Sequence, residues 1–212
     1  MTRQPLPLVG YRFAQDSTLG PISGQMYEYV VGAGGLYLRA RRRGLSVTMP
    51  IAGCEVRGLA AVRPVLELDC PKVPAALLAE ILRQSRAAAA SSPPLERLFY
   101  LAWEGGGWSL EVPPQRQTER EVEPLDTGPG SAYERALIEV HSHHRWEARF
   151  SPKDDRDESG FRLYAVLGRI NERPEVKVRV GAFGYRQEIP AELVLEMPDG
   201  ITDRVKAGRE YA

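Results

Sequence analysis

The apolar positions of the first seventy residues recur with the short period of strands. Met26 to Val31 is apolar and β-prone. Gly35 to Arg41 turns through Arg43-Gly44 into Leu45-Ser-Val-Thr-Met, the pattern of a hairpin. Val65-Leu-Glu-Leu alternates, so one wet face is expected there. The pattern changes after Pro71. Pro74 suits the first turn of a helix, where its missing N–H costs nothing. Leu77, Leu78, Ile81 and Leu82 follow at helical spacing, Ala87 to Ala90 extend the helix, and Ser91-Ser-Pro-Pro ends it.

Beyond that break the strand signal returns. Leu95 to Trp103 is aromatic-rich and reads as a buried strand, closed by Gly105-Gly-Gly and answered by a second strand from Trp108 to Val112. Residues 113–130 are rich in Pro, Glu and Gly and predict a mobile loop, with one strand at Arg120 to Val122. Ala136-Leu-Ile-Glu-Val predicts a strand running into His141. Phe161 to Gly168 and Val176 to Val180 predict two more, the second alternating cleanly. The expected fold is α/β or α+β, a mixed β-sheet flanked by helices. Two regions are expected: a β-rich N-terminal region of unknown role at 1–70 and a second domain at 71–212.

Composition narrows the function. A hydrophobic fraction of 43% and a charged fraction of 26% are those of a globular chain, and Lys+Arg and Asp+Glu balance at 28 each. Nothing in that balance calls for nucleic acid or a membrane surface, and the basic run Arg39 to Arg43 fits a solvated hairpin end. No apolar run approaches the roughly 20 residues that span a bilayer. The first seven residues lack the apolar core of a secretory signal, so a cytoplasmic setting is expected. Cys54 and Cys70 have neither the number nor the spacing of a disulfide framework, and each is expected to be a small buried hydrophobe.

The three histidines, His141, His143 and His144, lie within four consecutive positions. On an extended strand end, His141 and His143 point the same way because side chains alternate. The pattern is H-S-H, seven residues, then S-x-x-D, ending at Asp154. Zinc takes imidazole nitrogen and carboxylate oxygen, and a catalytic centre uses three protein ligands with one open position. His141, His143 and Asp154 meet that requirement. Ser151-Pro-Lys-Asp154 also reads as a helix start, with Ser151 as the cap and Asp154 reaching back to it. The two readings of Asp154 are compatible.

These residues resemble the JAMM motif of the MPN/JAB zinc metallopeptidases, matching His141, Ser142, His143, Ser151 and Asp154 position for position. The resemblance covers about residues 72–190. It implies a mixed sheet flanked by helices and a bound Zn2+. It implies hydrolysis of a peptide or isopeptide bond, with a ubiquitin-like or other small protein as substrate. It also implies an early glutamate as general base, which Glu96 matches, and makes Ser151 a donor to the developing oxyanion. Glu147 is the reserve for the base, whereas Glu104 and Glu111 are expected to be solvated. His144 stands where the family usually has proline. With Asp154 to Glu158 and Phe161-Arg-Leu-Tyr, it resembles a bacterial subgroup, protein A of the ParB-related, ThiF-related cassette. A non-catalytic MPN scaffold and a structural metal site completed by His144 are the alternatives. Asp155, Asp157 and Glu158 read as acids favourable to a helix N-terminus. Trp146 and Phe150 are candidates for substrate contact or for core.

Overall fold

The computed structural model describes residues 7–205, which divide into two compact units, 7–69 and 70–205. Residues 1–6 and 206–212, which the two expected regions include, lie outside the described residues. None of the described helices is long and apolar enough to cross a membrane.

The first unit is one five-stranded sheet of β1 (Val9–Phe13), β2 (Tyr27–Gly32), β3 (Gly35–Arg42), β4 (Leu45–Gly53) and β5 (Val65–Leu68), hydrogen-bonded in that order. The expected hairpin is β3–β4, turning at Gly44 with φ 86°, a conformation that favours glycine. Alternate residues of β2, β3 and β4, among them Val30, Leu38, Ala40, Val47 and Met49, form its buried face. One charged side chain, Glu28, is fully buried there. Its carboxylate accepts from the Ser23 N–H (2.9 Å) and hydroxyl (2.7 Å) and pairs with Arg39 at 2.5 Å and Arg12 at 3.4 Å. Arg39 therefore turns inward and is not part of a solvated hairpin end. Cys54 is exposed and Cys70, in the second unit, half-buried, contrary to expectation: both lie beside chain that leaves the sheet, at the end of β4 and just past β5.

The second unit opens with α1 (Ala75–Ala89), which follows Pro74 and buries Leu78, Ile81, Leu82, Ser85 and Ala88 along one stripe. Then come β6 (Leu98–Glu104), β7 (Gly107–Glu111), β8 (Gln115–Gln117), β9 (Val122–Pro124), α2 (Ala132–Arg135), β10 (Ile138–Ser142) and α3 (Pro152–Asp157). Four strands follow: β11 (Phe161–Gly168), β12 (Glu175–Ala182), β13 (Tyr185–Ile189) and β14 (Thr202–Asp203). The main sheet runs β13-β12-β11-β10-β6-β7, with β14 beside β12. It is mixed: β10–β11 and β12–β14 are parallel and the other pairs antiparallel. The fold is thus α+β, a mixed sheet with few helices.

Two local expectations fail. The stretch 113–130 is not one long mobile loop: Gln115–Gln117 and Val122–Pro124 pair as an antiparallel hairpin, fastened by Gln115 to the Leu98 backbone. β6 begins at Leu98, so Glu96 precedes the strand and does not open it. Its backbone is held outside the main sheet, by the Thr118 carbonyl and the Gln117 side chain.

Candidate functional site

Strand β10 is antiparallel to β6 and parallel to β11, so it cannot return by a tight turn. Residues 143–160 make the crossover, and the histidines stand where it begins. His141 lies opposite Leu98 and Val166 in the sheet. Ser142 points to the other side, where its hydroxyl accepts from the Arg97 N–H at 3.1 Å. His141 and His143 then share a face, with ring centroids 5.1 Å apart.

The crossover brings the third partner. Ser151 caps α3 by accepting from the Asp154 N–H, and the Asp154 carboxylate accepts from the Ser151 N–H at 2.5 Å, a complete capping box. That bond uses Asp154 Oδ2 and leaves Oδ1 facing His141 Nε2 at 3.7 Å. Arg179 of β12 holds the far end of α3, bonding Glu158 at 2.6 Å and Asp155 at 2.7 Å while lying over the Phe150 ring. Glu158 is consequently the buried C-cap residue of α3 and not a first-turn acid. Lys153 ties the same helix to Glu123 at β9 and to Glu121 beside it.

Tautomer and charge suit metal ligation. The His143 Nδ1 is hydrogen-bonded to the Glu147 carbonyl at 3.2 Å. A carbonyl can only accept, so Nδ1 carries the proton and Nε2 keeps its lone pair for the cleft. That carbonyl is placed by a close approach: a Cβ at Gly168 would stand 2.3 Å from the Glu147 carbonyl carbon. Burial holds both imidazoles below the usual pKa, keeping them neutral. Burial alone would raise Asp154, but the Ser151 hydrogen bonds hold it below the usual range, so it is ionised.

Glu96 reaches the cluster from the β6 side, with Oε1 3.9 Å from His143 Nε2. Only 3% of it is exposed. Burial, then the charges of Asp154 and Glu121, push its carboxyl up to about 8. Glu147 faces elsewhere and pairs with Arg204 at 3.2 Å, so it is no reserve for the base. Glu104 and Glu111 pair with Arg135 and are half-exposed. His144 is buried beside Trp146 and is not among the residues lining the cleft.

Glu96, His141, His143, Ser151 and Asp154 all line one cleft of about 770 Å³, with the partly exposed Trp146 at its wall. The donor set, two neutral imidazoles and one carboxylate, fits zinc. Bonds of about 2.0–2.1 Å at tetrahedral angles place donor atoms roughly 3.3 Å apart, so the 3.7 Å His141–Asp154 separation is slightly wide. Accordingly, no group of three His, Cys, Asp or Glu among the described residues is drawn together as a formed metal centre.

Sequence reasoning missed a second group in this cleft. Register places Tyr100, Glu139, Tyr164 and Arg179 in one row across β6, β10, β11 and β12, on the His141 face, with Arg162 one step further along β11. Burial, then Asp154 and Asp157, push Glu139 up to about 7 against the pull of Arg162. The signal was present as charged or phenolic residues at alternate positions of otherwise apolar strands.

The geometry defines a mixed-sheet α+β domain with a His-His-Asp-Glu cluster in a cleft at the end of a parallel strand pair. Among solved structures, the chain is similar to a JAB1/MPN domain protein from Archaeoglobus fulgidus, at 18% identity and a TM-score of 0.38, over 61% of this chain and 99% of that one. No protein-family model and no curated protein matches the chain.

Proposed function

We propose that the protein is a JAMM-type zinc metallopeptidase that hydrolyses a peptide or isopeptide bond, with a ubiquitin-like or other small protein as substrate. One observation carries the reading: residues spread from 96 to 154 in the H-x-H-x7-S-x-x-D pattern and its upstream glutamate converge on one cleft. His141, His143 and Asp154 would hold the zinc. Bound there, zinc supplies Lewis acidity, polarising a carbonyl and making a water acidic near neutral pH. Glu96 takes the proton of the attacking water and returns it to the leaving nitrogen. The Ser151 hydroxyl, which lines the cleft, would donate to the oxygen on which negative charge develops. The Glu147 carbonyl and the capping box keep the imidazole and the carboxylate in position.

The test combines metal analysis with turnover of tagged ubiquitin-like substrates, with and without a chelator. About one zinc per chain and chelator-sensitive cleavage are expected, both lost in His141→Ala and His143→Ala. Full zinc occupancy in both variants overturns the ligand assignment. Zinc without cleavage makes the domain a scaffold.

A further inference from the structure

Beside the histidines lies a group of buried polar side chains that lack partners, and it meets the cleft at Tyr164. The Arg162 side chain is 5% exposed, yet its Nε and Nη1 have no hydrogen-bond partner among the described residues. The same holds for the hydroxyls of Tyr100 and Tyr164, residues only 1% and 2% exposed. Leaving such groups unpaired is costly, so each needs an acceptor. They are also gathered together. The Arg162 guanidinium lies 3.8 Å over the Tyr133 ring and 3.7 Å from Glu139, and Tyr133, Glu139 and Tyr164 all line the cleft. A Cβ built at Gly160 would stand 3.9 Å from the Tyr164 hydroxyl and 4.0 Å from that of Tyr133, so those two hydroxyls flank one small space. Gly181 makes room for the Tyr164 ring, since a Cβ there would come within 2.6 Å of it.

We propose that Arg162, Tyr164 and Tyr100 form a subsite for a substrate carboxylate, with Glu139 accepting from an adjacent N–H of the same ligand. The unpartnered groups are a guanidinium and phenols, all donors, and a carboxylate supplies the acceptors they lack. The Glu139 carboxyl does not saturate Arg162, because 3.7 Å exceeds hydrogen-bond distance. A carboxylate next to an N–H is the C-terminal residue of a peptide. Glu139 lies two positions before His141 on β10, about 7 Å along the strand. At about 3.5 Å per extended residue, the free terminus then sits about two residues from the bond at the histidines. That placement rests on the peptidase reading; the carboxylate subsite does not.

The test is calorimetric binding to chelator-treated protein, which prevents a carboxylate from ligating a metal instead. Three probes are compared: N-acetylglycine, its neutral amide N-acetylglycinamide, and acetate. N-acetylglycine should bind saturably and the amide at least tenfold more weakly. Tyr164→Phe and Tyr100→Phe remove only a hydroxyl with no partner and should keep the native melting temperature. Each should weaken N-acetylglycine about ten- to a hundredfold, the worth of one hydrogen bond to a charged group. Tighter binding of N-acetylglycine than of acetate supports the chain terminus and the Glu139 contact, whereas equal binding overturns both. Binding that does not distinguish acid from amide, or that is unchanged in both Phe variants, overturns the subsite. Those results leave zinc content and cleavage untouched, so this inference and the peptidase reading fail separately.

Discussion

Each unit of this protein buries glutamate, and the two solve the problem in opposite ways. Glu28 in the N-terminal sheet is surrounded by donors. Burial alone would raise its pKa, but Ser23, Arg39 and Arg12 hold it below the usual range. Glu96, Glu139 and Glu158 in the C-terminal unit are pushed upward by burial and by neighbouring acids, Glu158 despite its bond to Arg179. A buried carboxylate whose lone pairs are satisfied stabilises the fold around it. One left short of partners holds a proton near neutrality and is available to a ligand.

The contrast can be broken most sharply at its two extremes. Glu96→Gln keeps the shape and removes the proton acceptor, so cleavage should fall about 10²–10⁴-fold while the melting temperature holds. Near-native activity would place the base elsewhere. Glu28→Ala should do the reverse. It strands Arg39 and should cost about 3–5 kcal/mol in a denaturant titration of the N-terminal unit, with zinc content unchanged. A loss under 1 kcal/mol would mean that the carboxylate cluster is not what holds that sheet.

The pH dependence should carry opposite signs in the two units. Because the folded pKa of Glu28 lies below its unfolded value near 4.5, its stabilisation is present above that value. It is lost as pH falls through the folded value, and Glu28→Gln should flatten that acid limb. Glu158 is raised to about 8, so its contribution is complete below 4.5 and declines as pH climbs toward 8. Glu158→Gln in chelator-treated protein should reduce that decline, to which Glu96 and Glu139 add in the same direction, and amide-resolved NMR can follow each unit. The smallest effect is expected at His144, which lies outside the cleft: His144→Ala should retain its zinc, and loss of the metal would restore the four-ligand structural reading.

Much of this was legible along the chain. The β3–β4 hairpin, α1, β11 and the capping box at Ser151 are each set by local pattern and local chemistry, which one sequence displays directly. The His141–His143 pair was legible for the same reason, since period-two alternation alone puts both on one face. Glu96 was placed in the right neighbourhood but on the wrong element. What holds it is a side-chain bond from Gln117, across a hairpin whose polar sequence resembles a loop. The row Tyr100–Glu139–Tyr164–Arg179 was invisible because it exists only through register between strands far apart in sequence. The reading of Arg39 as solvated failed for the same reason: its partner Glu28 lies directly opposite on β2.

The parallel pairing of β10 and β11 has a consequence for redesign. The crossover from 143 to 160 is obligatory chain, and its ends are fixed by two strands while its middle is fixed by the cap at Ser151. One residue inserted between His143 and Ser151 would shift that cap relative to the strand ends, and the cluster would lose its geometry. The hairpin tip at Gly105 and Gly106 carries no such constraint on length: a Cβ at either would meet nothing within 4 Å, and only the positive φ of the two glycines asks that they be kept. A tag, a fluorophore or new chain termini placed there should leave the cleft intact, whereas the crossover should reject changes of length while tolerating changes of side chain at its exposed positions.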